Sequence, residues 1–261
     1  MKIASWNVNS LNVRLPHLLE WLKSDQPDVL VLQETKLEDH KFPQAEIEAA
    51  GYRVVFDGQK TYNGVAILSK TEITEVQRGI PGFADEQKRA LAATVGGIRI
   101  VDLYVVNGQA VGSEKYDYKL RWLNAVHDWI ADELTRHPDL VVLGDFNIAP
   151  DERDVHDPLV WNEDSILTST QERAALKRLL DLGLHDSFRL HSDETGVFSW
   201  WDYRMAGFRR NLGLRIDLVL VSDELKPRTM ASGIEREPRT WERPSDHAPV
   251  WVEIDAPLHP V

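Results

Sequence analysis

The chain has no cysteine among its 261 residues. That excludes disulfides, thiolate nucleophiles and cysteine-ligated zinc or iron–sulfur centres. No apolar run approaches the length of a membrane span, so no membrane partner is expected. Met1-Lys2-Ile3-Ala4-Ser5-Trp6 enters strand-like sequence at once, with neither a signal-peptide apolar region nor an Arg-rich leader. A soluble, cytoplasmic protein is expected. Positive charge is also scarce: 30 Lys and Arg face 42 Asp and Glu, a formal net charge of -12. Such a balance would speak against nucleic acid if net charge were the test, but binding follows local patches. It also leaves carboxylates free for a hard cation such as Mg²⁺ or Mn²⁺. Several catalytic templates are missing as well. The sequence has no H-E-x-x-H pair, no G-x-x-x-x-G-K-[ST] loop, no G-x-G-x-x-G after a strand and no G-x-S-x-G elbow.

What is present is a core of ample size, 43% apolar, and no feature that asks for a second domain within 1–261. Lys2 to Trp6 reads as a strand. Leu15, Leu18, Leu19 and Leu22 follow at helical spacing, with Pro16 placed in the first turn and Pro27 beyond the end. Asp28 to Gln33 is a second buried strand. Residues 52–57 and 64–69 look paired, 72–78 alternates like an exposed strand, and two further strands flank Gly96-Gly97 as a hairpin. Leu120, Leu123, Val126, Ile130 and Leu134 then mark one helix face. Ser169 with Glu172 is a capping box opening a helix that stops at Gly183. The last two strands fall at 216–221 and 247–254. Hairpins in series with helices at intervals predict two sheets packed face to face with helices outside.

The most informative stretch is Asp139 to Pro150. Leu140 to Leu143 form a buried strand that Gly144 breaks just before Asp145, Phe146 and Asn147. An extended backbone there would put Asp145 and Asn147 on one face and Phe146 in the core. The alternative is an ordinary Asp-x-Asn turn. Polar residues stand at other strand ends too: Asn7, Glu34, Tyr104, Asp217, and Asp246 with His247. Each has a structural reading, from a turn at Asn7 to a satisfied core histidine at His247. Together they supply carboxylates, amides, an imidazole and a phenol, an inventory suited to metal-assisted hydrolysis by water rather than to covalent catalysis.

Trp6-Asn-Val-Asn9, Leu32-Gln-Glu-Thr-Lys36, Tyr104-Val-Val-Asn-Gly108, Gly144-Asp-Phe-Asn147, Asn211-Leu-Gly-Leu-Arg-Ile-Asp217 and Ser245-Asp-His247 run in order along almost the whole chain. In this the sequence resembles the exonuclease III family of abasic-site endonucleases, within the endonuclease/exonuclease/phosphatase superfamily that includes DNase I. The resemblance implies a four-layered α/β sandwich, two packed mixed β-sheets flanked by helices, with the active site at one end of the sheets. It implies a Mg²⁺-dependent enzyme, with Mn²⁺ a possible substitute, that cleaves double-stranded DNA 5′ to abasic sites and acts at 3′ ends; a monomer is expected. The metal neighbourhood would be Asn7, Glu34, Asp145, Asn147, Asp246 and His247, with Glu34 the principal ligand. Asp145 would orient or deprotonate water, Asn147 would donate to the phosphate, and His247, held by Asp217, would bond a non-bridging oxygen. Tyr104 would contact the phosphate or help the leaving group. Val106 stands where the family often has proline before the asparagine, so the 105–118 loop departs from the family pattern.

The same resemblance places substrate contacts at Asn107, Trp200, Arg210, Asn211, Leu214 and Ile216, with Trp200, Leu214 and Ile216 forming an apolar pocket for a flipped abasic sugar. The acid-free stretch 204–215 carries Arg204, Arg209, Arg210 and Arg215 and is expected to face phosphates. Lys115, Lys119 and Arg121 read either as part of that surface or as a solvated helix start. Two other functions fit less of the sequence: a phosphoesterase of the same superfamily acting on a non-DNA ester, and a non-catalytic regulatory binding protein on this scaffold. The second would tolerate loss of the metal carboxylate or the histidine, and both are present.

Overall fold

The computed structural model describes residues 1–256. Its strands are β1 (Lys2–Asn7), β2 (Val29–Gln33), β3 (Arg53–Asp57), β4 (Val65–Ser69), β5 (Thr74–Arg78), β6 (Ala90–Val95) and β7 (Ile98–Tyr104). They continue with β8 (Leu140–Asp145), β9 (Leu184–Asp186), β10 (Trp200–Trp201), β11 (Gly213–Leu214), β12 (Asp217–Ser222), β13 (Thr229–Ile234) and β14 (Val250–Ile254). The helices are α1 (Leu11–Asp25), α2 (Gln44–Ala49), α3 (Glu114–Arg136), α4 (Thr170–Leu180) and α5 (Ser187–His191).

Two 6-stranded sheets result, ordered β13-β14-β1-β2-β4-β3 and β5-β6-β7-β8-β12-β9. Each is mixed for the same reason. A parallel pair needs a crossover, and the helical stretches supply one per sheet: α1 joins parallel β1 and β2, and α3 joins parallel β7 and β8. The remaining neighbours are antiparallel, among them the β6–β7 hairpin, whose Gly96 and Gly97 both take positive φ, 56° and 80°.

Three apolar clusters glue four layers together. Ile3, Val31, Ile67 and Val252 of the first sheet meet Ile100, Val141, Leu143 and Val219 of the second between the sheets. Leu11, Leu18, Trp21 and Ile47 of α1 and α2 cover the outer face of the first sheet. Trp122, Val126 and Ile130 of α3, with Leu176 and Leu179 of α4, cover that of the second. Strands buried on both faces read as continuous apolar runs, as β2, β4 and β8 do. Among the described residues no helix is long and apolar enough to cross a membrane.

The sequence reading is corrected at two places: β13 lies between the strands expected to be the last two, the second of which begins only at Val250, and one helix boundary differs. The Ser10 hydroxyl accepts from the Val13 N–H, so α1 begins at Leu11 and Pro16 falls in its second turn. Pro16 and Asn12, whose carbonyl loses its helical donor, are both exposed, so the carbonyl is open to solvent.

Candidate active site

Strand register builds the site. Parallel β7–β8 pairs Tyr104 with Asp145, and antiparallel β8–β12 pairs Asp145 with Asp217, so three polar groups lie side by side at one end of the second sheet. In the first sheet β1 and β2 end level, Asn7 opposite Gln33, and the chain turns at once at Glu34 with φ 52°. Asn7 spans the sheets: its Nδ2 donates to Glu34 Oε1 and to Asp145 Oδ2, each at 2.9 Å. Its Oδ1 accepts from the Asn9 N–H, which fixes the amide the other way round from a metal ligand. His247 arrives on the segment before β14, pinned by the Trp6 indole on its carbonyl and by the Ser245 hydroxyl, which donates to the Asn7 carbonyl at 2.6 Å. Its Nδ1 lies 2.8 Å from Asp217 Oδ2 and its Nε2 3.5 Å from Asp145 Oδ2. Glu34, Asp145 and His247 present ligand atoms within 4.8 Å of one another.

Burial sets the charges. It pushes Asp145 up to about 7; the His247 imidazolium opposes the rise, and the Asp217 and Glu34 carboxylates add to it. Asp217 is raised by the same burial, against the pull of His247. For His247 burial works downward, but Asp217 and then Asp145 outweigh it and lift the ring to about 10, so it is an imidazolium at neutral pH. Burial first, then the Glu34 and Asp145 carboxylates, drive Tyr104 well above an ordinary phenol, leaving it a neutral donor. The Asp217 Oδ1 is buried without a partner. Carboxylates thus outnumber the one imidazolium in a nearly closed space. Such an excess of hard oxygen donors is the chemistry that takes up a divalent cation.

Asn147 does not continue the strand. β8 ends at Asp145, and Asn147 takes φ 47° with its N–H on Asp145 Oδ1 at 3.0 Å. The Asp-x-Asn turn and the placement near the site are therefore the same feature: Phe146 enters the core while the Asn147 amide reaches Val105 O at 2.9 Å and faces the Asn107 amide at 3.4 Å. Asp246 stands apart from the Glu34–Asp145–His247 cluster, its oxygens taken by the Trp200 indole at 3.0 Å and Asn9 Nδ2 at 3.1 Å. Trp200 is half-buried, and Leu214 and Ile216 lie fully buried behind it with Val155 and Trp161. Beside Trp200 is a cavity of about 560 Å³ lined also by Trp161, Asp202, Arg204, Met205 and Leu212; of the three residues expected to form an apolar sugar pocket only Trp200 lines it, because Leu214 and Ile216 are buried in the core. Arg210 is exposed. Asn211 is held inward, accepting from the Trp201 indole and donating to Gly196 O.

Two sequence expectations fail at this surface. Arg215 does not face solvent: it is 1% exposed and paired with Asp154 and Asp186 at 2.7 and 2.6 Å. Lys119 is no solvated helix start either, being 0% exposed. In both cases the partner is remote in sequence, so charge pattern alone could not show it. Asn9 and Lys36 have no role legible in the sequence. Lys36 Nζ lies 2.8 Å from Asn9 Oδ1 and 3.3 Å from Glu34 Oε2, tying the loop after β1 to that after β2. Positive φ at Asn9, Glu34, Lys36 and Asn147 concentrates backbone strain where the polar groups converge, as functional sites do.

A two-sheet α/β sandwich with carboxylates, amides and an imidazolium gathered at one end offers the donor set that metal-assisted hydrolysis by water uses. Comparison with known proteins narrows this. Residues 4–247 match the Endonuclease/Exonuclease/phosphatase family, and the chain belongs to it. Exodeoxyribonuclease III of Haemophilus influenzae is 38% identical, the match covering 97% of this chain and 100% of that protein. Among solved structures, a 3′ phosphatase from Neisseria bound to a product DNA hairpin superposes with TM-score 0.96 at 49% identity, covering 98% of this chain and 99% of that one. An AP endonuclease from Archaeoglobus fulgidus does so with TM-score 0.93 at 38% identity, covering 98% and 99%. The chain is accordingly a hydrolytic enzyme of the nuclease type.

Proposed function

We propose that the chain is a Mg²⁺-dependent DNA repair nuclease that cuts duplex DNA 5′ to abasic sites and removes nucleotides or blocking groups at 3′ ends. The observation that carries the reading is the Asp217–His247–Asp145 line lying against Glu34, with contacts of 2.8 and 3.5 Å. The relatives named above supply the substrate class. Mn²⁺ would substitute, and the protein would act as a monomer.

Glu34 and Asp145 would hold the cation, which when bound offsets the negative charge that a phosphodiester gathers on the way to hydrolysis. His247 is left to the phosphate: Asp217 occupies Nδ1, and Nε2–H, with Asp145 Oδ2 no nearer than 3.5 Å, would be the donor for a non-bridging oxygen. Asp145, with a pKa near neutrality in the protein alone, is matched to take a proton from water. Tyr104, neutral and beside Asp145, can give its proton to a departing oxygen. Asn147 and Asn107, whose amides meet at 3.4 Å, would turn their remaining N–H groups to the phosphate. The cavity beside Trp200 would take a base-free sugar, which is cheap to extrude from the stack. Exposed Arg209 and Arg210 would meet the flanking backbone.

Purified protein with Mg²⁺ should incise a duplex at one abasic analogue and release phosphate from a 3′-phosphate end, and EDTA should abolish both. An inositol phosphate turned over while every DNA substrate stays intact would overturn the reading in favour of another phosphoesterase.

A further inference from the structure

Lys119 is a buried charge that this chemistry leaves unused, and its three bonds lead to the catalytic end of the second sheet. We propose that Lys119, anchored by Glu172, is a positioning residue: its ammonium sets the peptides that carry Asn107 and Asn147. The inference rests on the nuclease reading of the site.

The Lys119 Nζ donates to Asn147 O at 2.7 Å, to Asn107 O at 3.1 Å and to Glu172 Oε1. Three bonds exhaust an ammonium's donors. The acceptors belong to the exit of β8, the loop after β7 and the first turn of α4; the β7–β8 ladder ends at Tyr104 and Asp145, and past Val105 only side chains bridge the first two. Glu172 is itself fixed from behind. Its Oε1 also accepts from Leu167 N at 3.1 Å, and its Oε2 from Ser169 N at 3.1 Å and Ser169 Oγ at 2.7 Å. The ammonium is therefore held on a rigid base and pushed against the two loop carbonyls. The loop also lies on the lysine stem: a Cβ at Gly108, whose φ is +90°, would sit 3.1 Å from Lys119 Cδ.

From there the path to the reacting group is short. The carbonyl of Asn147 is bonded to Lys119, and its N–H is bonded to Asp145 Oδ1 at 3.0 Å. Asn147 holds a left-handed backbone that asparagine tolerates but does not demand, so something must select it. Burying a lysine is costly even when paired, and an apolar side chain could pack the same space. It could not satisfy two converging carbonyls and a carboxylate. Burial presses the Lys119 pKa down, while Glu172 and then Asp145 support its charge.

The competing view is an ion pair that only holds the fold, and the molecule contains a control for it. Arg99 and Glu133 form a second buried pair, 2.8 Å apart, between β7 and the far end of α3, away from the polar cluster. Lys119→Met with Glu172→Gln removes one pair without stranding a charge; Arg99→Met with Glu133→Gln removes the other. Both double variants should melt earlier. Only the first should lower kcat per folded molecule on the abasic duplex, by about 10- to 100-fold, since displacements near 1 Å have that effect. KM should stay within about threefold, because what is lost is orientation at the reacting centre. Lys119→Arg, which keeps the charge, should recover part of the rate. Hydrogen–deuterium exchange should quicken over 104–109 and 145–149 in the first variant and not in the second. Wild-type kcat in the folded first variant, with unchanged exchange over those segments, would overturn the inference. Were the wild-type protein inert on DNA, the nuclease reading would fall instead, and the exchange contrast would still decide what Lys119 does.

Discussion

One proton decides what the site can do, and the geometry assigns it to His247. Asp217 and Asp145 flank the ring, and their charge outweighs the burial that would strip it. Because the folded-state pKa of His247 is raised, the imidazolium persists through neutrality and is lost only as pH climbs toward that value. Asp217→Asn removes the carboxylate that raises it most, 2.8 Å from Nδ1. The basic limb of the rate–pH profile should move to lower pH in that variant, with kcat reduced even at the optimum; a profile unshifted on the alkaline side would count against His247 as the charged donor. These residues were legible in the sequence because motifs name them. Their orientation was not. The Gly-Asp-Phe-Asn stretch suggested an extended backbone, whereas Asn147 turns left-handed and reaches the site through an Asx turn. Nothing local distinguishes the two, since the choice depends on Val105 and Lys119, which approach from other segments.

At the scale of elements, β7 and β8 carry the catalytic end, with β8 packed against β7 at Gly144 and β7 packed against the first sheet at Asp102. A Cβ on Gly144, at φ +145°, would lie 1.9 Å from the Leu103 carbonyl oxygen on the neighbouring strand. Gly144→Ala should therefore cost roughly 1–3 kcal/mol in urea unfolding, as overpacking does, and should also shift Asp145 and reduce turnover. Asp102 on β7 is wholly buried between the sheets; its Oδ1 receives the Gln33 amide at 2.8 Å and its Oδ2 has no partner. Burial raises its pKa well above the usual range. Between the ordinary carboxylate pKa and that raised value the folded chain keeps a proton that the unfolded chain releases, so stability falls as pH rises across the window. Asp102→Asn has no such proton to lose. Its Tm advantage over wild type should vanish near pH ~4 and grow toward neutrality, at up to about 1.4 kcal/mol per pH unit. A Tm difference independent of pH would show that Asp102 is ionised in the fold. Strands, the Gly96-Gly97 hairpin and the Ser169–Glu172 capping box could all be read from local pattern. Lys119 could not, because the carboxylate that permits its burial lies 53 residues away.

For the whole molecule, the sandwich does what neither sheet can do alone. Asn7 and Glu34 come from the first sheet, Tyr104, Asp145 and Asp217 from the second, and Asn7 bonds across the gap to Glu34 and Asp145 at once. The order of hairpins and helices made the layered architecture legible, and the shared position of polar groups at strand ends suggested one site. That they meet within 4.8 Å at Glu34, Asp145 and His247 is a product of strand register between remote segments, which no sequence spacing encodes. The acidic net charge of -12 is likewise a poor guide, since the exposed arginines after Trp201 are a local patch on an acidic body. The central claim is that this convergence makes a cation-dependent phosphodiesterase whose water-handling group is Asp145. It is tested most directly by single-turnover incision of a duplex with one abasic analogue, titrated with Mg²⁺, for the wild type and for Asp145→Asn shown to be folded. The account expects no cut in EDTA, a single cut 5′ to the analogue restored by Mg²⁺, and a rate lower by about 10²- to 10⁴-fold in the variant. Incision that ignores Mg²⁺, or a folded Asp145→Asn protein that cuts at the wild-type rate, would contradict it.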